Sequence, residues 1–121
     1  MKWAKSLFKL SDDVAKVSQE VIQLTKSKFG HTFINHGEEM TNFLINRAKG
    51  SGMAQGQFLD DQVAAKFIMD NLDKLNNGAI PLPIPKNFPA RMILPDGSYG
   101  IPSKIRLVPG GKGVKTAYPE F

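Results

Sequence analysis

The chain contains no cysteine, which excludes disulfide staples, a thiolate metal site and a thiol nucleophile. Covalent chemistry would have to fall to Ser, Thr, Lys or a carboxylate, and the redox compartment stays open. Long apolar runs are also missing. No stretch approaches the roughly 18 residues of a membrane span, and the opening residues lack the layout of a signal peptide, so no stable membrane association is expected. Histidine is scarce: 2 residues in 121 carry the side chain best suited to proton exchange near neutral pH.

What is present is rich in lysine and unevenly charged. The net charge is +5, with six Lys/Arg against three acids in residues 1–30, four against six in 31–80, and six against two in 81–121. Basic ends around an acidic middle favour a polyanion such as RNA, although charge alone equally describes a solvated lysine surface. A length of 121 residues suits one domain with a modest core.

Trp3, Leu7, Leu10, Val14, Val17, Val21 and Leu24 alternate in steps of four and three, the apolar stripe of a first helix that breaks at Gly30. Ser11-Asp12-Asp13 offers a second, later start for that helix. Glu38, Glu39, Met40, Phe43, Leu44, Arg47 and Ala48 read as a second helix with acids in its first turn, ending in the glycine-rich stretch Gly50–Gly56. Asp60 or Asp61 caps a third, with Ala64, Phe67, Ile68, Leu72 and Leu75 on one face and a close near Asn76-Asn77-Gly78. Pro81, Pro83, Pro85 and Pro89 then exclude a helix and predict an extended linker or irregular edge. Arg91–Leu94, Lys104–Val108 and Val114–Tyr118 are strand candidates separated by Pro95-Asp96-Gly97 and Gly110-Gly111-Lys112-Gly113 turns. Helices first and a meander afterwards indicate an α+β domain, with N-terminal helices packed on a small twisted antiparallel sheet.

The two histidines, His31 and His36, sit at the entrance to the second helix. In metal-free RNA cleavage a base removes the ribose 2′-hydroxyl proton and an acid protonates the departing 5′ oxygen, and imidazoles suit both tasks. The same pair with Glu38, Glu39, Asp60 or Asp61 would offer a nitrogen/oxygen metal site, but a spacing of five does not share a helix face as His-Glu-x-x-His does. Arg47 falls on the apolar stripe of its helix, so its guanidinium should be paired, snorkelling or facing a cleft. Its planar fork suits the extra charge of a phosphorane transition state. A salt bridge to Glu38, Glu39 or an Asp of the third helix would occupy it equally well. On one unbroken helix His36 and Arg47 would stand about 16 Å apart along the axis, so convergence requires His36 to precede the helix, which Gly37 permits.

Thr116 and Tyr118 share one face of the last strand and offer two hydroxyls to a phosphate. A four-residue Gly110–Gly113 loop would put Thr116 opposite Leu107 and Tyr118 opposite Ile105, on a half-buried core face; a glycine bulge would shift the register by one. Lys115, on the other face, reads as a solvated charge. The glycine cluster is a tight hairpin and not a phosphate-binding P-loop, since no Lys-Ser/Thr and no helix follow it.

Gly30-His31-Thr32, His36, Arg47, the helix over Asp61–Ile68 and the terminal Thr116-Ala117-Tyr118 together resemble the ribonuclease toxin domains at the C-termini of bacterial contact-dependent growth-inhibition and other polymorphic toxins. The closest likeness is to the pancreatic-ribonuclease-like group, with the assemblage of barnase, colicin-type tRNases and EndoU nucleases second. The resemblance covers residues 30–119. It implies a single domain over 1–121, with a helical segment over 1–29 and a catalytic core over 30–119. It further implies metal-independent, cofactor-free cleavage of RNA, tRNA foremost, to a 2′,3′-cyclic phosphate. His36, Arg47, Thr116 and Tyr118 would be the catalytic set and His31 a supporting or second acid/base. Export within a larger bacterial toxin, action in the target-cell cytoplasm, and neutralisation of a monomer by an acidic cognate immunity protein in a 1:1 complex follow from the same likeness. Base choice would rest on stacking groups, for which Phe33, Phe58 and Tyr99 are candidates. The alternative from another class is a non-catalytic RNA-binding or protein-interaction module, in which the histidines and hydroxyls are structural.

Overall fold

Gln62 ties the backbone of Ile22 to the rest of the fold. A computed structural model describes residues 21–121. The backbone N–H of Ile22 donates to Gln62 Oε1 (2.8 Å), and Gln62 Nε2 donates back to the Ile22 carbonyl (3.0 Å). That amide satisfies the groups a helix would have paired, so Val21 and Leu24, expected at the end of the first helical stripe, lie in non-helical, exposed backbone. The rest of that stripe, from Trp3 to Val17, lies outside the described residues.

Four α-helices follow: α1 (Lys26–Phe29), α2 (Thr32–His36), α3 (Thr41–Ser51) and α4 (Asp61–Asp70). Asp60 caps α4 by accepting from the N–H groups of Gln62 (3.0 Å) and Val63 (3.1 Å), as its position in the sequence predicts. The expected close near Asn76–Gly78 comes earlier. Asn71 Nδ2 donates to the Phe67 carbonyl at 2.7 Å, and the chain tightens into one 3₁₀ turn over Leu72–Lys74. Helix α3 starts after the two acids instead of containing them. Glu38 and Asp61 form a reciprocal tie, the Glu38 N–H donating to Asp61 Oδ1 and the Asp61 N–H to Glu38 Oε1, both at 2.8 Å.

The strands make two antiparallel three-stranded sheets where one was expected, so the α+β class stands and its sheet is split. One holds β1 (Gln55–Phe58), β3 (Ala90–Ile93) and β4 (Tyr99–Gly100) in the order β1-β3-β4; the other holds β2 (Ile80–Pro83), β5 (Lys104–Gly110) and β6 (Gly113–Glu120) in the order β2-β5-β6. Of the glycine-rich loop expected at Gly50–Gly56, α3 takes Gly50 and Ser51 and β1 takes Gln55 and Gly56. The proline segment becomes β2, an edge strand whose Ile80 and Leu82 face inward while Pro81 and Pro83 are exposed, the position where prolines cost no ladder bond.

The main core packs α4 against the second sheet through Ala64, Ala65, Ile68, Ile105, Leu107, Val114 and Ala117, with Phe29 and Phe58 closing it. Edge-to-face rings at Phe29–Phe33 (5.4 Å) and Phe67–Phe88 (5.4 Å) extend it. Phe33 and Phe58 are therefore core residues and not base-stacking platforms. A smaller cluster of Leu44, Ala48 and Ile93 seats α3 on the first sheet. The two sheets meet where β1 crosses β6 at Gly56 and Pro119, an approach so close that a Cβ on Gly56 would overlap the Pro119 carbonyl.

Candidate active site

His36 ends α2, and Gly37 turns the chain before α3 begins at Thr41. Glycine is required there, because a Cβ would press on the Phe33 carbonyl and on Asp61 Oδ1. The break removes the axial separation that a single helix would impose on His36 and Arg47. The imidazole is 9% exposed, and its Nδ1 lies 2.8 Å from the Gly56 carbonyl. A carbonyl only accepts, so Nδ1 carries the proton and Nε2 keeps its lone pair for chemistry. Burial pushes the pKa of His36 below its ordinary 6.5; the bond to Gly56 opposes that shift, and the charge of Arg47 adds to it. The shift favours the neutral imidazole near pH 7.

Thr116 and Tyr118 reach the same place through a bulge. Pro109 pairs with Val114 and Val108 with Thr116, so Lys115 is an extra residue in β6. The bulge shifts the register by one from the plain hairpin. It lies at Lys115, outside the glycine cluster. Thr116 and Tyr118 oppose Val108 and Arg106, while Ala117 and Pro119 oppose Leu107 and Ile105 in the core. The hydroxyl-bearing face is consequently the one turned from the core, and the Tyr118 ring lies 5.2 Å from the His36 ring, tilted by 33°.

Arg47 is exposed on α3 beside the buried Leu44 and Ala48, its guanidinium 5.8 Å from the Phe43 ring centre. Among the described residues it has no salt bridge: the ion pairs found are Lys66–Asp70 and Arg106–Glu120. The expected alternative of pairing with Glu38, Glu39 or the acids of α4 is therefore not realised there. It lines a cleft of about 750 Å³ together with His31, His36, Thr116 and Tyr118. All five residues singled out from the sequence face that one space. Tyr99 does not; it lies under Arg91, whose guanidinium carbon is 4.1 Å from the ring centre. Among the described residues no three His, Asp or Glu side chains gather as a metal site would need, so the His31/His36/acid grouping does not form.

Several contributors carried no signal in the sequence. Gly56 supplies the carbonyl that orients His36, and it was read as part of a glycine-rich loop. Glu120 also lines the cleft, its carboxylate held by Arg106 through paired bonds of 3.1 and 3.0 Å, which limits its repulsion of an anion. Gln57, fully buried, donates to the Gly37 carbonyl (3.1 Å) and to Thr41 Oγ1 (2.9 Å) and accepts from Arg91 Nε (2.9 Å). That cross-link joins β1 to the turn after His36. Only cross-strand distances that the linear sequence does not encode could have found it.

Two consequences are measurable. A histidine whose folded pKa lies below its unfolded value binds fewer protons folded than unfolded, so stability falls as pH drops below about 6.5 and levels off once the folded pKa is passed. Thermal melts from pH 7.5 to 5 should show that fall, and His36→Asn, whose Nδ2 can keep the Gly56 bond, should flatten it. Asp61 shifts oppositely: burial first, then Glu38, Asp60 and Glu39, raise its pKa, against the lowering effect of the Glu38 N–H. Asp61→Asn keeps the acceptor and removes the charge, and at pH 7 it should raise Tm by about 1–3 °C. A lower Tm would show that the carboxylate charge itself supports the turn.

Comparison with known proteins returned no matching family model, no matching curated protein and no matching solved structure.

Proposed function

We propose that the chain is a metal-independent endoribonuclease of the bacterial toxin type, cutting RNA by attack of the substrate's own 2′-hydroxyl. The observation that carries this reading is the convergence of His36, Arg47, Thr116 and Tyr118 from α2, α3 and β6 on one cleft, with the tautomer of His36 set by Gly56. His36 Nε2 takes the 2′-hydroxyl proton, and the 2′ oxygen attacks the adjacent phosphorus. Arg47, with the Thr116 hydroxyl, holds the phosphorane charge. The bond from phosphorus to the 5′ oxygen breaks, and Tyr118 protonates the leaving oxygen, with His31 as the second donor. The products are a 2′,3′-cyclic phosphate and a 5′-hydroxyl.

The lowered pKa of His36 fits a base that must be unprotonated at neutral pH. A cationic cleft suits an acidic immunity protein, whose carboxylates would occupy the phosphate positions. Delivery within a larger toxin to a target-cell cytoplasm, with tRNA as the foremost substrate, completes the reading.

The test is incubation of purified protein with total tRNA and rRNA in excess EDTA, with end-group analysis of the fragments. Cleavage to cyclic-phosphate ends, lost in His36→Ala, is the expected result. No cleavage, or cleavage unchanged in that variant, would overturn the assignment, and activity lost only on chelation would replace it with a metal-dependent one.

A further inference from the structure

A second cavity of about 310 Å³ adjoins the cleft, and His31 and Lys115 line both. Its walls are the α1 segment, bearing Lys26, and the tip of the β5–β6 hairpin at Gly110 and Gly111. Backbone contacts hold the walls together. The Lys112 N–H donates to the Ser27 carbonyl (3.1 Å), and the His31 N–H to the Lys115 carbonyl (2.9 Å). Glycine permits this approach, since a Cβ on Gly113 would overlap the Lys28 carbonyl and one on Gly30, at φ +55°, the Lys115 carbonyl. The glycine cluster, which takes no part in the chemistry above, thus fixes Lys26 and Lys115 on one groove.

The ionisable side chains of that groove, among the described residues, are Lys26, Lys115 and His31, with no carboxylate. Among the described residues neither lysine has an ion-pair partner. Met53 and Phe121, by contrast, line the larger cleft alone and are 66% and 53% exposed, apolar surface better matched to bases than to phosphates.

We propose that the groove binds an RNA backbone phosphate next to the scissile one, with Lys26 and Lys115 as its cationic partners. The proposal rests on the ribonuclease reading. It makes the enzyme favour substrates that continue beyond the cleaved step, because a dinucleotide leaves the groove empty.

The experiment compares kcat/KM for a dinucleotide and for a hexanucleotide containing the same cleaved step, at 50 and 200 mM salt. The wild-type protein is expected to favour the hexamer by about tenfold at low salt, and binding to lose a log–log salt slope of about 0.7 per abandoned phosphate contact in Lys26→Ala/Lys115→Ala. The hexamer-to-dinucleotide ratio should collapse in that double variant and recover in Lys26→Arg/Lys115→Arg. A double variant with the wild-type ratio and slope would overturn the groove and leave the ribonuclease reading intact. Failure of the wild-type protein to cleave either substrate would overturn both.

Discussion

His36→Asn should lower kcat on RNA by about 10²- to 10⁴-fold, the range that general acid–base catalysis supplies. Asparagine places an N–H where Nδ1 now meets Gly56 and removes only Nε2, the nitrogen assigned to the 2′-hydroxyl proton. The fold and the Arg47 phosphate contact should survive, so KM should change by much less than kcat. The acid limb of the pH–rate profile should disappear, since on the proposed assignment it would report protonation of this imidazole. Arg47→Gln should leave that limb in place and move it upward, because the guanidinium charge is one of the causes lowering the His36 pKa. Steady-state kinetics from pH 4.5 to 8 checks all three. A variant retaining wild-type kcat, or its acid limb, would exclude His36 as the base.

Gly56→Ala should be one of the most damaging single-methyl changes among the described residues. The added Cβ would overlap the Pro119 carbonyl, a backbone atom of a buried strand that cannot swing aside. The two sheets would have to part at their crossing, a rearrangement costing about 3 kcal/mol or more, or roughly 10 °C in Tm. Activity should fall with stability, because the Gly56 carbonyl that orients His36 would move with the parting strand. Gly50→Ala is the internal control: it lies in α3 with nothing within 4 Å of the added atom. Its expected effect is a gain of about 0.5–1 kcal/mol from the helix preference of alanine. Calorimetry on both variants distinguishes a steric junction from a general sensitivity to glycine replacement.

The contrast between these glycines marks what was legible in the sequence. The sequence reports α4 and strands at Arg91–Leu94 and Lys104–Val108, within a residue or two of β3 and β5, because each buries one face. Strand β1 escaped because Gln-Gly-Gln-Phe has no apolar alternation; Gln57 is buried as a polar group, made tolerable by Arg91 and Thr41 from elements distant in the chain. The chemistry of the residues singles out candidates, the resemblance to ribonuclease toxins makes them one set, and His36 does precede the helix that carries Arg47. Their convergence was not legible. It depends on a bulge at Lys115, a residue whose type announces no such irregularity, and on a contact between Gly56 and His36 across 20 positions.

The bulge also works as a parity rule. Val114 and Ala117, three residues apart, both serve the core only because Lys115 breaks the alternation between them. With Lys115 kept in plain alternation and no bulge, odd and even would exchange along the rest of β6, turning Ala117 and Pro119 outward and Thr116 and Tyr118 inward. Deleting Lys115 would leave a regular ladder in the same register, whereas a change that flattens the bulge while keeping Lys115 should be more disruptive than most substitutions there. The working cleft thus depends on which β5 residues Thr-x-Tyr faces, and two chains differing by one residue before Thr116 would present it alike if only the longer one bulges.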